Sequence, residues 1–196
     1  MAPEQRKSKQ TDMTLKRTII IAIAVSAILA ALPSCVKQKL ELTYTAQEES
    51  IDKYVKSVLD TAKTTSATYN EGICRLTKVQ GRGEPLKGNG TVSFYYAGYT
   101  FSNRFSKENL FCTNHEATAA DAKWTLPEEE LTNLTVCLND ADFLEGLKKG
   151  LSGVRAGEEC EIIFSAKYGF GRKPFGIVPA NSALLYKIWV KSISNE

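Results

Sequence analysis

Eleven consecutive residues, Thr91 to Phe101, read TVSFYYAGYTF and leave the backbone little choice. Val, Thr, Tyr and Phe crowd the preceding turn of a helix but stand clear of one another on a pleated strand, so the run is predicted as a β-strand. Two turns lead into it, Gly81-Arg82-Gly83-Glu84-Pro85 and Lys87-Gly88-Asn89-Gly90. The first has neither GxGxxG nor GxxxxGK[ST] spacing, and no helical pattern follows, which excludes a nucleotide loop. Downstream, Leu134 to Leu138 alternates as a half-buried strand. Asp142 to Leu151 changes to helical spacing, with Phe143, Leu144, Leu147 and Leu151 on one stripe, and Gly153 and Gly157 close it. Cys160, Ile162 and Phe164 alternate with Glu159, Glu161 and Ile163, and Ala183 to Ile193 is an apolar strand. The pattern is α+β: an antiparallel β-sheet around one short α-helix.

Ahead of this domain, Thr45-x-x-Glu48 has capping-box form, and Ile51, Tyr54, Val55, Val58 and Leu59 follow as an amphipathic helical stripe. Such a stripe packs on its own domain or forms a homodimer through the 45–63 helix. Thr64 to Asn70 is polar and reads as a break. The expected organisation is a signal peptide over 1–34, a linker over 35–44, a helix and connector over 45–80, and the sheet domain over 81–196.

The charge is unevenly placed. Arg6, Lys7, Lys9, Lys16 and Arg17 against Glu4 and Asp12 leave a net +3 in the first 17 residues, the whole formal charge of the chain. The remainder is neutral, which excludes a nucleic-acid binder that must neutralise phosphates. Behind the basic start, Ile19 to Leu32 is apolar apart from Ser26 and stops at Pro33-Ser34-Cys35. It is shorter than the ~20 apolar residues of a spanning helix and has the form of an export signal. Leu32-Pro33-Ser34-Cys35 resembles a bacterial lipobox, in which the thiol corresponding to Cys35 is lipidated. An uncleaved anchor and ordinary secretion are the alternatives. All three put the body outside the cytoplasm; the lipobox reading puts it in the cell envelope, lipid-anchored, facing the periplasm or the outside, with the outer membrane the expected one.

Cys74, Cys112, Cys137 and Cys160 remain, and an exported compartment permits three complete pairings among them. There is no CxxC or Cys/His spacing, and His115 is the single histidine, so no metal site is expected.

Several segments in order carry a family likeness. Val92-Ser93-Phe94-Tyr95-Tyr96-Ala97-Gly98, Phe143-Leu144-x-Gly146-Leu147-x-x-Gly150-Leu151, Val154-x-Ala156-Gly157-Glu158, Tyr168-Gly169-Phe170-Gly171 and Phe175-Gly176-Ile177-Val178-Pro179 through Leu184 resemble the FKBP-type peptidyl-prolyl isomerases. The resemblance covers roughly 81–193 and implies an apolar pocket between the sheet and its short helix. It implies catalytic positions at Tyr96, Phe111, Leu144, Leu147, Phe170 and Ile177, with substrate binding by Leu134, Phe143, Val178 and Tyr186. In the family the backbone N–H at the Leu144 position holds a substrate carbonyl. Three positions depart from the pattern: Leu147 replaces a tryptophan, Phe170 a tyrosine, and Cys112 an aspartate. The implied activity is X–Pro isomerisation in exported proteins without a cofactor, the partners being proline-containing polypeptides and a membrane reached through the lipid. The alternatives are a non-catalytic module that grips proline-containing or unfolded segments, and a structural envelope lipoprotein. The stretch Thr113 to Asn133 reads as an insertion bordering the pocket, with Trp124 placed either over the space left by Leu147 or in a satellite core.

Overall fold

The computed structural model describes residues 36–196; the expected signal peptide and Cys35 lie outside the described residues. The chain divides into two units, Met1–Thr43 and Tyr44–Glu196. In the first, residues 36–43 are helical, and the Thr43 hydroxyl donates to the Lys39 carbonyl at 3.0 Å. Helix α1 occupies 36–61, so the stretch expected as a linker over 35–44 is helical from 36 onward. Thr45 therefore lies inside the helix and the capping box does not form. Glu48 instead accepts a hydrogen bond from Ser165 at 3.1 Å.

The second unit continues with β1 (Ser66–Asn70), β2 (Ile73–Val79), β3 (Thr91–Phe101), β4 (Leu110–Thr113), α2 (Glu116–Asp121), β5 (Leu134–Cys137), α3 (Glu145–Leu151), β6 (Glu159–Phe164) and β7 (Ala183–Ser194). These strands make one antiparallel sheet in the order β1-β2-β6-β7-β3-β4. Strand β3 pairs with β7 along its whole length. Its other edge is shared, with β5 on residues 91–94 and β4 on residues 97–99. The break expected over 64–70 is instead strand β1, joined to β2 through Glu71-Gly72. Both turn residues have positive φ, as a tight two-residue hairpin requires.

Period-two alternation sorts the sheet residues onto two cores. Val92, Phe94, Ile162, Phe164, Leu184, Tyr186 and Ile188 join Leu147 and Leu151 of α3. Leu76, Ala97, Tyr99, Ile163 and Leu185 join Ile51 and Val55 of α1 on the opposite face. The apolar stripe of α1 thus packs on its own domain, with Ile51 and Val55 buried and Tyr54, Val58 and Leu59 partly covered by the same core. Helix α3 is fixed from below by Arg75 of β2, whose guanidinium donates to the Gly150 and Ser152 carbonyls at 2.9 and 2.7 Å and lies 3.4 Å from the buried Glu158 carboxylate. This supplies partners for carbonyls that a helix end leaves unpaired.

All four described cysteines are free. Cys74 and Cys160 lie on neighbouring strands but in the two opposite cores, so their side chains point away from each other. None of the complete pairings allowed by the sequence forms.

Candidate functional site

On the α3 side of the sheet, aromatic rings run in a continuous row. Phe143 lies 6.5 Å from Phe94, Phe94 6.2 Å from Tyr96, and Tyr96 6.4 Å from Tyr186. Phe111 stands edge-on to Tyr186 at 5.8 Å and to Phe170 at 6.1 Å, and Phe170 stacks on Phe175 at 4.3 Å. Tyr186 itself stacks on the buried Phe164. Tyr96, Phe111, Phe143, Leu144 and Phe170 are half-buried, whereas Leu147, Val178 and Tyr186 are buried. Half-exposed walls therefore stand around a closed apolar floor.

Local sequence explains how these rings meet. Gly98 has no side chain; a Cβ there would fall 2.7 to 2.9 Å from Cys112 Sγ, Tyr186 Cε1 and Phe111 Cζ. Only glycine lets β3, β4 and β7 bring those three side chains together. Buried Asn114 holds the next position: its Oδ1 accepts the Tyr96 N–H at 2.6 Å, and its Nδ2 donates to the Thr132 carbonyl at 2.8 Å. One side chain thus fixes the Tyr96 backbone and ties down the far end of the insertion. Leu144 caps α3, its carbonyl accepting the Lys148 N–H at 2.9 Å. Its own N–H donates to no backbone acceptor among the described residues. The loop carrying Phe170 is held from α1, where Gln47 accepts from the Ala166 N–H at 2.9 Å and donates to the Asn181 carbonyl at 2.7 Å.

The site is electrically quiet. Burial pushes the Cys112 thiol up to about 12, against hydrogen bonds from Gly98 and Tyr186 that pull the other way. Burial likewise holds Tyr186 well above its ordinary range and raises Tyr96, with Cys112 and Glu130 adding to the second effect. The floor is uncharged at neutral pH. Cys74 is also raised by burial, to about 11. Each thiol is protonated more tightly folded than unfolded, so its contribution is complete below about pH 9 and declines as pH rises toward the folded value. Unfolding free energy is expected to fall above about pH 9, by up to roughly 1.4 kcal/mol per pH unit for each thiol. Urea unfolding of a Cys112→Ala variant should show a shallower alkaline decline; an identical decline would exclude Cys112 as a source.

Two expected pocket residues sit apart. Leu134 is 40% exposed, on the Phe94 side of β5 opposite Phe94 itself, and Ile177 is 75% exposed at the tip of a turn closed by two Phe175–Val178 backbone hydrogen bonds. They form an exposed rim and not a wall. Trp124 belongs to the opposite core with Tyr99 and Trp189, so it does not cover Leu147. Four contributors escaped the sequence reading as site residues: Phe94, Phe164, Phe175 and Asn114. Phe94 and Phe164 were legible as inward strand positions and Phe175 as part of the terminal motif, but nothing local marks Asn114.

The description of the FKBP-type peptidyl-prolyl cis-trans isomerases matches residues 83–191, more than half of the chain. The chain belongs to that family. FK506-binding protein 1 of Aspergillus oryzae is 20% identical over 123 residues, covering 63% of this chain and 99% of that protein. Among solved structures, FkpA from Escherichia coli is similar at a TM-score of 0.51 and 17% identity, covering 89% of this chain and 71% of that one. The three FKBP domains of wheat FKBP73 give a TM-score of 0.51 at 16% identity over 66% of this chain, which spans 51% of the wheat chain. At these identities the structures show the FKBP-like fold. Within it, the floor here is Tyr186 stacked on Phe164 beside Leu147, and the neutral Cys112 thiol shares a hydrogen bond with the Tyr186 hydroxyl where the family often has a carboxylate.

Proposed function

We propose that the chain isomerises X–Pro bonds in exported proteins by twisting the amide within the aromatic cluster. The supporting observation is the half-exposed ring of Tyr96, Phe111, Phe143 and Phe170 around an uncharged, buried floor. A planar amide owes its barrier of ~18–20 kcal/mol to resonance that separates charge between nitrogen and oxygen. Twisting removes that resonance, so a dry apolar surface penalises the planar ground state more than the twisted transition state. The rings hold the proline, the unpaired Leu144 N–H takes a neighbouring carbonyl, and no acid, base or metal enters.

Phe175, Ile177 and Leu134 at the exposed rim favour a second reading, in which the same surface grips proline-containing or unfolded segments without turning them over. An NMR exchange assay on a proline tetrapeptide separates the two. Exchange above the uncatalysed rate is expected; saturable binding without acceleration would replace the enzyme with the binding module. Envelope attachment through lipidated Cys35 is part of the proposal and rests on the basic start, the short apolar run and Leu-Pro-Ser-Cys. Mass spectrometry of the membrane fraction should find a chain beginning at an acylated Cys35, and a peptide with Ser34 still joined to an unmodified Cys35 would rule that out.

A further inference from the structure

A cavity of about 440 Å³ lies on the face of the sheet away from the aromatic row, between β7 and the insertion. Tyr99, Trp124 and Trp189 wall it, Thr118 lines it with its hydroxyl bonded to His115 Nδ1 at 2.9 Å, and Lys187 of β7 is half-buried within it. The Lys187 ammonium lies 4.0 Å from the Phe105 ring centre and 5.9 Å from that of Tyr99. Among the described residues no carboxylate comes within ion-pair distance of it. Its cross-strand neighbour Glu161 is already held, 3.5 Å from Lys78 and accepting from the Tyr54 hydroxyl at 3.2 Å. At the mouth, Lys107 and Asp121 pair with each other at 3.3 Å in solvent, and Glu108 is exposed. Those charges are screened by solvent; the half-buried one inside is screened less.

A half-buried cation that lies against ring faces and has no ion pair retains unused capacity for an anion, since cation–π contact offsets only part of its lost hydration. The volume is within the range of small-molecule sites, and Tyr99, Trp124 and Trp189, whose indole is stacked on one side by His115 at 3.9 Å, suit a flat ring. We propose that this cavity binds a small aromatic carboxylate, its ring between Trp124 and Trp189 and its carboxylate on Lys187. The same chemistry is carried by a free aromatic acid and by the C-terminal aromatic residue of a polypeptide. Burial lowers the Lys187 pKa, with Lys107 and Lys78 adding to it and Glu161 opposing, so an entering carboxylate also relieves an electrostatic cost.

The chain's two tryptophans both line this cavity, so their emission reports its occupancy. Titration of the full chain with 3-phenylpropionate should change that emission saturably, with 3-phenylpropanamide at least ten-fold weaker. Lys187→Met should weaken the acid at least ten-fold, and Lys187→Arg should retain it within three-fold. N-acetylphenylalanine binding as tightly as 3-phenylpropionate assigns the polypeptide terminus as the source; markedly weaker binding assigns the free acid. Absence of saturation with either acid, equal affinity for acid and amide, or undiminished binding by Lys187→Met overturns the proposal. Should Lys187→Met lose its native near-UV circular dichroism, the acid-against-amide comparison on the unaltered protein decides alone. Saturation should leave prolyl isomerase turnover unchanged, because the aromatic row lies across the sheet, so failure here is distinguishable from failure of that activity.

Discussion

Phe111→Ala is expected to lower kcat/KM for a proline peptide by on the order of 10- to 100-fold, the scale on which loosened positioning acts on a bound substrate. The ring is the hinge of the row, touching Tyr186 at 5.8 Å and Phe170 at 6.1 Å, each edge-on. Its removal opens the wall to water and frees Phe170, so the amide loses both the dry surface and the orientation that the proposed mechanism uses. Phe111 is half-buried, so stability should fall less than the 3–5 kcal/mol typical of a buried Phe truncation, and the variant should remain folded. Phe111→Leu provides the control: it restores bulk without the ring and should recover only part of the rate. Turnover within two-fold of the parent for Phe111→Ala, with a native near-UV spectrum, would remove the aromatic row from catalysis. Phe170→Tyr should leave turnover nearly unchanged, since the ring keeps its stacking on Phe175.

The largest loss of stability is expected from Gly150→Ala, with Gly146→Ala close behind. A Cβ at 150 would stand 2.2 Å from Ile162 Cγ2, and one at 146 would stand 2.5 to 2.6 Å from three Phe164 ring atoms. Ile162 and Phe164 are fully buried and have nowhere to move. In an exposed helix the same change would stabilise by about 1 kcal/mol through helix propensity. Here close approach reverses the sign, and overpacking of this kind costs about 1–3 kcal/mol, occasionally more. A chain of this size loses about 2–4 °C per kcal/mol, so a drop of roughly 2–12 °C in Tm is expected. Gly88→Ala, with nothing within 4 Å of its Cβ and no positive φ, should be close to neutral. Equal Tm values for Gly88→Ala and Gly150→Ala would show that α3 does not depend on its small residues to sit on β6. Because α3 carries Leu144 and Leu147, Gly146→Ala and Gly150→Ala should also lower turnover, through displacement and not through any contact with substrate.

Elements with local signals were legible in the residues alone. β3 spans the residues its aromatic and β-branched run marks, Thr91–Phe101, and α3, β6 and β7 fall within three residues of the limits that their periodicity suggests. Periodicity is written by the burial of one face, so it is readable wherever an element has a single dry side. The ordered family motifs added the fold and the list of pocket candidates. Long-range contacts set what no local pattern records. Ser66–Asn70 is polar and exposed, and it is a strand only because β2 lies beside it. Glu48 had the spacing to cap a helix, but its carboxylate meets Ser165, 117 residues away. Trp124 could lie on either side of the sheet, and the path of the insertion carried it to the α1 face. Cys74 and Cys160 are three register positions apart on paired strands, and an odd offset separates them by the full thickness of the sheet. Leu134 and Ile177 are apolar like the residues of the floor, yet the four-residue β5 and the exposed tip of the 175–178 turn leave them at the rim. In each case local chemistry fixed what the residue prefers, and the long-range path of the chain fixed which neighbour was there to satisfy it.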